Sequence, residues 1–340
     1  MVDLDNETEA SLVAQGMAFF TSVNRSSAFS TLTAAEQQKL RDFLPFATRP
    51  LGVSALGRLR VALAATAAGT ADTKIALLGD STFAGAFSNG TTWGNARADS
   101  TPSQFARLLA ARYPVRQSSV FGTVSAASSI SLFDPRMSVT TPNWSDFSVG
   151  WLGGPAFRNN TNEASTLSFA PGEAFDTIDV YYLASSGGAS FDIAINGGAK
   201  AGATVSTNGG LATVKVTRTV PLGTSVVNIR RLVGTGACPI YAIDCYDSTS
   251  RKVRVYNWGV GGETSGGWAN NAQPYLAFSG IATMAPDMTF ICVGINDGLA
   301  SVAPATYASN MQTVITQCQL SGDVAIVVPT PVDTSQISAA

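Results

Sequence analysis

The 340-residue sequence contains no histidine. Imidazole is the usual general base near neutral pH and the commonest metal ligand, so a complete Ser-His-Asp triad cannot be assembled within this chain. Cysteine is scarce as well. Cys238, Cys245, Cys292 and Cys318 form no C-x-x-C pair, which removes thiolate zinc sites and thioredoxin-type redox motifs. Cys238 and Cys245 are near enough in sequence for a local disulfide, but two small strand residues is the favoured reading. Charge is low, at 13% of residues, and balanced, with 21 basic against 23 acidic groups for a net charge of -2. No electrostatic footprint for nucleic acid results. No apolar run reaches the roughly 18–20 residues that a membrane helix needs; the best, Val61 to Gly69, follows Arg58 and Arg60. The opening MVDLDNETEA carries acids where an export signal carries a basic region. What is present is 45% hydrophobic residues with 32 glycines and 15 prolines, enough for a buried core and for two domains.

Residues 1–70 read as helical. Thr33-Ala-Ala-Glu36 resembles a capping box opening a helix over Ala34–Leu44, stopped by Pro45, and a second helix is expected around Val53–Ala68. From Lys74 the pattern changes to strand, loop and helix: Ile75–Leu78, then Gly79-Asp-Ser81, then Pro102–Tyr113. The alternation returns at Val253–Trp258, Met288–Val293, Tyr307–Leu320 and Val324–Val328, as a parallel sheet covered by helices requires. Between these stretches the period falls to two: Ile178, Val180 and Tyr182, then Phe191, Ile193 and Ile195, then Val214 and Val216. Glycine turns at Gly187-Gly188, Asn196-Gly197-Gly198 and Asn208-Gly209-Gly210 punctuate them as in a β-sandwich. The expected organisation is a helical segment 1–70, an α/β domain made of 71–120 and 251–340, and an all-β, jelly-roll-like sandwich inserted over 121–250. No repeat of fixed period is present.

Chemistry-bearing residues gather in three loops, each following a sheet strand: Gly79-Asp80-Ser81, Asn257 to Thr264, and Gly294-Ile-Asn296-Asp297. Loops at the carboxyl ends of parallel strands meet in one crevice. Gly79 is expected to permit a sharp turn presenting the Ser81 hydroxyl. Phe83 in place of a second glycine sets this apart from the G-x-S-x-G elbow. Gly262 has no side chain to shield its amide, and Asn296 carries a side-chain donor, so both suit a developing oxyanion. Each loop also has a plain reading, as a helix cap, a flexible turn and a self-bonded loop residue.

In order and context the three loops resemble the SGNH hydrolase family, the GDSL esterases: G-D-S in the first block, N-x-G-x-x-G-x-T in the second and G-x-N-D in the third. The resemblance covers residues 74–120 and 251 to about 330. It implies a flavodoxin-like three-layer α/β/α fold, Ser81 as nucleophile, and the Ser81 amide, Gly262 and Asn296 as oxyanion hole, with no metal or other cofactor. The family's last block, D-x-x-H, is absent. Asp333-Thr-Ser-Gln336 has its spacing with glutamine for histidine, but follows the last strand too early, and Asp333 is not assigned. Three explanations stand open: a fragment of a longer protein, a domain that has lost its base, or a base supplied by another chain.

Some esterases of this type that act on glycans carry a carbohydrate-binding β-sandwich, which makes acetylated polysaccharide the expected partner. Trp151, Tyr181 and Tyr246 are the aromatic residues of the insert to weigh for sugar stacking against core packing. A different class of function also suits the composition: a phage tail or spike protein binding host polysaccharide on an esterase scaffold, attached to the virion, or assembled as a homo-oligomer, through its N-terminal region.

Overall fold

The structure is a computed structural model of the chain, and it describes residues 56–86, 96–122, 133–139, 144–159, 164–233 and 235–328. The expected helix Ala34–Leu44 and the Asp333–Gln336 stretch lie outside the described residues.

The first apolar run becomes β1 (Thr73–Gly79), the central strand of a parallel five-stranded sheet. Its other strands are β2 (Val115–Arg116), β14 (Val253–Gly259), β15 (Met288–Cys292) and β16 (Asp323–Ile326), in the order β16-β15-β1-β14-β2. Counting β1, β14, β15 and β16 alone, the order is 2-1-3-4. That is the doubly wound arrangement, with its switch point at β1, and β2 adds an edge beside β14. β1 reads as a continuous apolar run because both its faces are covered. Ile75 and Leu77 pack with Val253, Val255 and Phe83, against α1 (Gly57–Ala67) and α4 (Thr101–Leu109) through Leu59, Leu63, Phe105 and Leu109. Ala76 and Leu78 face the opposite way, toward Ile281 and Met284 of α6 (Ala277–Met284) and Met311, Val314 and Cys318 of α8 (Pro304–Gln319). Ser100 caps α4, whose second residue is Pro102, a start signal in the sequence. No helix among the described residues is long and apolar enough to cross a membrane.

Between β2 and β14 the chain runs antiparallel. With β4 (Met137–Val139), β5 (Trp144–Trp151), β6 (Gly154–Asn159), β10 (Val205–Ser206) and β11 (Ala212–Gly223), one sheet is ordered β10-β9-β12-β7-β4 and the other β11-β8-β13-β6-β5, with β3 (Ser119–Phe121) beside β13. The strands the argument uses are β7 (Ser165–Phe169), β8 (Phe175–Ala184), β9 (Ser190–Ile195), β12 (Val227–Arg231) and β13 (Cys238–Tyr246). Leu167, Phe169, Ile178, Val180, Phe191, Ile193, Val227 and Ile229 fill the space between the sheets, the period-two residues of the sequence turned inward. The turn after β9 places Asn196 at φ 51° and Gly197 at φ 72°, closed by Gly198 N–H to Ile195 O. Two left-handed residues are what a two-residue hairpin turn demands.

The second sheet is apolar on both faces. Its outer face lies against the parallel sheet, where Phe121, Trp151, Tyr181, Leu183, Tyr241 and Ala242 join one core with Tyr256, Trp258 and Ile281. Trp151 stacks on Tyr241 at 5.3 Å between centroids and lies 5.4 Å from Tyr181. A register shift between Ile240 and Ala242 makes this possible on β13. Cys238 and Ile240 point into the sandwich, Tyr241 and Ala242 point away, and Ile243 and Cys245 point in again. A bulge of this kind resets the alternation. The helical layer expected on this side of the sheet is therefore shared between α6, α8 and the sandwich. Across the seam Arg254 of β14 is ion-paired with Asp244 of β13, and the Tyr256 hydroxyl also donates to Asp244.

Two readings are settled by this packing. All four cysteines are free and buried, so the local disulfide does not form. Trp151 and Tyr181 are core residues rather than sugar platforms, at 2% and 4% exposure, and Tyr246 lies under the Arg254 guanidinium, 4.2 Å from its ring centre.

Candidate active site

β1, β14 and β15 end level. Gly79 is in register with Gly259 on one side and Cys292 on the other, so the three loops leave the sheet together. Asp80 N–H donates to Cys292 O at 3.3 Å. Its side chain caps α2 (Ser81–Ala84), Oδ1 accepting from Thr82 N–H at 2.9 Å. Ser81 is thus the first residue of a short helix, with a backbone N–H that the helix itself does not bond. Its side chain is half-buried, and its Oγ makes no hydrogen bond among the described residues. Asp80 is buried, with Oδ2 unpartnered among the described residues. Burial raises its carboxyl above the usual range, and Asp297 adds to the rise against the Thr82 bonds.

Gly79 does not supply the expected turn. It has no left-handed backbone, and its lack of a side chain serves close approach instead: a Cβ there would lie 2.5 Å from Cys292 O. Gly259 has the same role against α2. A Cβ would strike the Ala84 nitrogen and lie 2.6 Å from Ala84 Cα. Asn257 completes this contact, its Oδ1 accepting from Gly259 N–H at 2.9 Å and its Nδ2 reaching Ala84 O at 3.5 Å. Val260 N–H then bonds Gly79 O at 3.0 Å, and Glu263 N–H closes a turn onto Val260 O at 3.3 Å. Gly262, third in that turn, takes φ +77° with open space where a Cβ would stand.

The third loop starts with Gly294 at φ +141°, braced by the Tyr307 hydroxyl, which donates to Val293 O at 2.9 Å. In α7 (Ile295–Leu299) Asn296 donates through Nδ2 to Glu263 O at 2.8 Å. That bond uses one of two amide donors and leaves the other for a further acceptor. Asp297, buried, accepts from Ser265 N–H at 2.9 Å and from Ser265 Oγ at 2.5 Å. It thereby holds α5 (Ser265–Ala269), which Thr264 caps. The sequence placed Asp297 in the third loop without a part of its own; its bonds to Ser265 tie that loop to the start of α5. Glu263 is half-buried; burial raises its carboxyl, and Asp297 raises it further against the Thr264 hydrogen bond. Burial pushes the Cys292 thiol up to about 12, which leaves it inert as a nucleophile.

The structure therefore places Ser81, Gly262 and Asn296 on adjacent strand ends and links the last two through Glu263. No cluster of metal-binding side chains is present among the described residues.

No family model matches the chain, and no curated protein does. Among solved structures, a peptidoglycan O-acetylesterase aligns over 81% of this chain and 71% of its own length, at 17% identity and a TM-score of 0.52. A family two carbohydrate esterase from Cellvibrio japonicus aligns over 65% of this chain and 81% of its own, at 10% identity and 0.26. The C-terminal CBM6 of a laminarinase from Zobellia galactanivorans aligns over 37% and 98%, at 17% identity and 0.25. The first likeness is one of fold, and the other two are too slight to argue from. Nothing in the described fold or the comparisons supports virion attachment or a homo-oligomer. The chain, with its parallel α/β sheet and antiparallel β module, thus has a fold similar to that of an esterase structure over most of its length.

Proposed function

We propose that Ser81 is the nucleophile of an SGNH-type acyl hydrolase acting on an acetylated polysaccharide, with the α/β domain in 71–120 and 251–340 and a carbohydrate-binding module in 121–250. The observation that carries this reading is the convergence of three loops at the switch point of the sheet, with Asn296 bonded to the carbonyl that follows Gly262. Ser81 Oγ attacks the acetyl carbonyl carbon and gives its proton to a base. The carbonyl π pair moves onto oxygen, where Ser81 N–H, Gly262 N–H and the second Asn296 donor face it. Collapse expels the sugar oxygen, which takes up the proton, and water then releases acetate from acetyl-Ser81.

The 340 residues supply no imidazole, and Asp80 is buried and occupied with Thr82. An unassisted triad serine loses about 10⁴-fold or more in rate. Added imidazole supplies the missing group, so the test is acetate release from acetylated xylan and 4-nitrophenyl acetate with and without imidazole, beside Ser81→Ala. The expected result is an imidazole-stimulated rate that disappears in Ser81→Ala. Equal rates for the two proteins at every imidazole concentration would remove Ser81 from the mechanism.

A further inference from the structure

The sandwich sheet that faces away from the parallel sheet carries a hollow of about 360 Å³ on its outer side, with Thr166, Asp192, Lys200 and Arg230 among its lining residues. Its floor follows from register. Arg230 on β12 lies opposite Thr166 on β7 and opposite Asp192 on β9. Cross-strand partners share a face; the neighbouring residues Leu167, Ile229, Phe191 and Ile193 point into the core, so this row points out. Lys200 closes one side, brought there by its bridge to Ala194.

The charges in the hollow are unevenly matched. Asp192 is taken up by Thr204, whose hydroxyl donates to it at 2.6 Å, and Lys200 Nζ donates to Thr204 at 2.9 Å while standing 3.9 Å from Asp192. Arg231 turns back to the strand end and donates to the carbonyls of Leu232 and Gly236 at 2.8 and 2.9 Å. Arg230 has no hydrogen-bonding or ionic partner among the described residues, and its Nε is closed off from solvent. A half-buried guanidinium with no carboxylate presents a fork of donors matched to a planar anion. The rest of this face is short and polar, with Ser168 and Asn228 hydrogen-bonded at 2.9 Å in the next row, a lining that pairs with hydroxyl groups.

We propose that this hollow binds a carboxylate-bearing sugar unit of a polysaccharide, its carboxylate on Arg230 and Lys200 and its hydroxyls along the Thr166 row. The proposal deepens the polysaccharide reading and does not depend on Ser81. Binding is measured by calorimetry on the full chain carrying Ser81→Ala. The probes are tetragalacturonate and a hyaluronan tetrasaccharide, each beside its carboxyl-reduced form, with inorganic phosphate as competitor. The expected result is saturable binding of at least one acidic probe, weakened tenfold or more by carboxyl reduction and by Arg230→Gln. A smaller loss is expected in Arg230→Lys, which keeps the charge and loses the fork. Lys200→Gln, an exposed change that leaves the fold alone, is expected to weaken binding and flatten its salt dependence. Equal affinity for acidic and reduced forms, no saturable binding of either acidic probe, or full displacement by millimolar phosphate would each overturn the assignment. Because hydrolysis is not read out, failure here is distinct from failure of the esterase proposal.

Discussion

Replacing Gly259 by alanine tests whether the end of β14 and the helix carrying Ser81 are held in backbone contact. The new Cβ would lie against the Ala84 nitrogen and 2.6 Å from Ala84 Cα. Backbone stands on both sides of the contact, so no side-chain rotation relieves it, and α2 must retreat by about 1 Å to restore ordinary van der Waals spacing. Overpacking of this kind costs about 1–3 kcal/mol, and the upper end applies where backbone meets backbone. For the unit Leu56–Ala340 an unfolding entropy of about 2.1 cal/mol/K per residue converts 3 kcal/mol into a fall in Tm of about 5 °C. Gly262→Ala calibrates a different penalty. Its site is open, but φ +77° is left-handed, which costs about 1–2 kcal/mol and lowers Tm by about 2–3 °C. Gly210→Ala, with open space and no left-handed backbone, serves as the neutral control. Melting curves for the three proteins should rank Gly259→Ala lowest, and the imidazole-stimulated rate should fall with it as Ser81 moves off the Gly262 loop. A Gly259→Ala protein that melts with the Gly210→Ala control would refute the close-approach argument.

Two further outcomes are expected. Asn296→Ala should lower the imidazole-stimulated, Ser81-dependent rate by about 10²–10³ fold with little change in substrate binding; an unchanged rate would take Asn296 out of the oxyanion hole. Asp134, 1% exposed, lies 2.8 Å from Arg136 and 3.2 Å from Arg97. Burial acts to raise its carboxyl, but the two guanidinium groups outweigh it and hold the carboxyl below its usual value. Its stabilising contribution is therefore complete above the ordinary carboxylate range and is lost as pH falls through the lower folded value. Asp134→Asn leaves two cations uncompensated and should cost about 3–5 kcal/mol at neutral pH. The gap in Tm to the parent should narrow in acid, and a gap independent of pH would contradict this account.

The parts legible in sequence were those whose physics is local. β1 stands out as an apolar run ended by glycine because both its faces are buried. The inward residues of β8 and β9 show the simple alternation of strands with one face in the sandwich core. The three loops could be placed at one crevice from the strand, loop and helix order alone. What escaped depends on distant segments. The purpose of Gly79 lies in the Cys292 carbonyl, more than two hundred residues away in sequence. The bulge at Tyr241 breaks the period on which strand reading rests. Nothing beside Trp151 in sequence reveals that its ring partners, Tyr181 and Tyr241, face a second sheet. The two-residue strand β2 and the five-residue helices α5 and α7 are too short for periodicity to register.

The two-faced second sheet has a consequence for how such a protein can change. An appended module can be cut away and leave its host wet but whole. Here, deleting the strands from β3 to β13 would expose Tyr256, Trp258 and Ala76, opening one wall of the parallel sheet to water. It would also remove Asp244 from Arg254, leaving that buried cation with Asp72 as its remaining ion-pair partner among the described residues. The insert is thus structural masonry: residues on its inner wall can vary only in step with the sheet they cover, while the outer wall is free of that constraint.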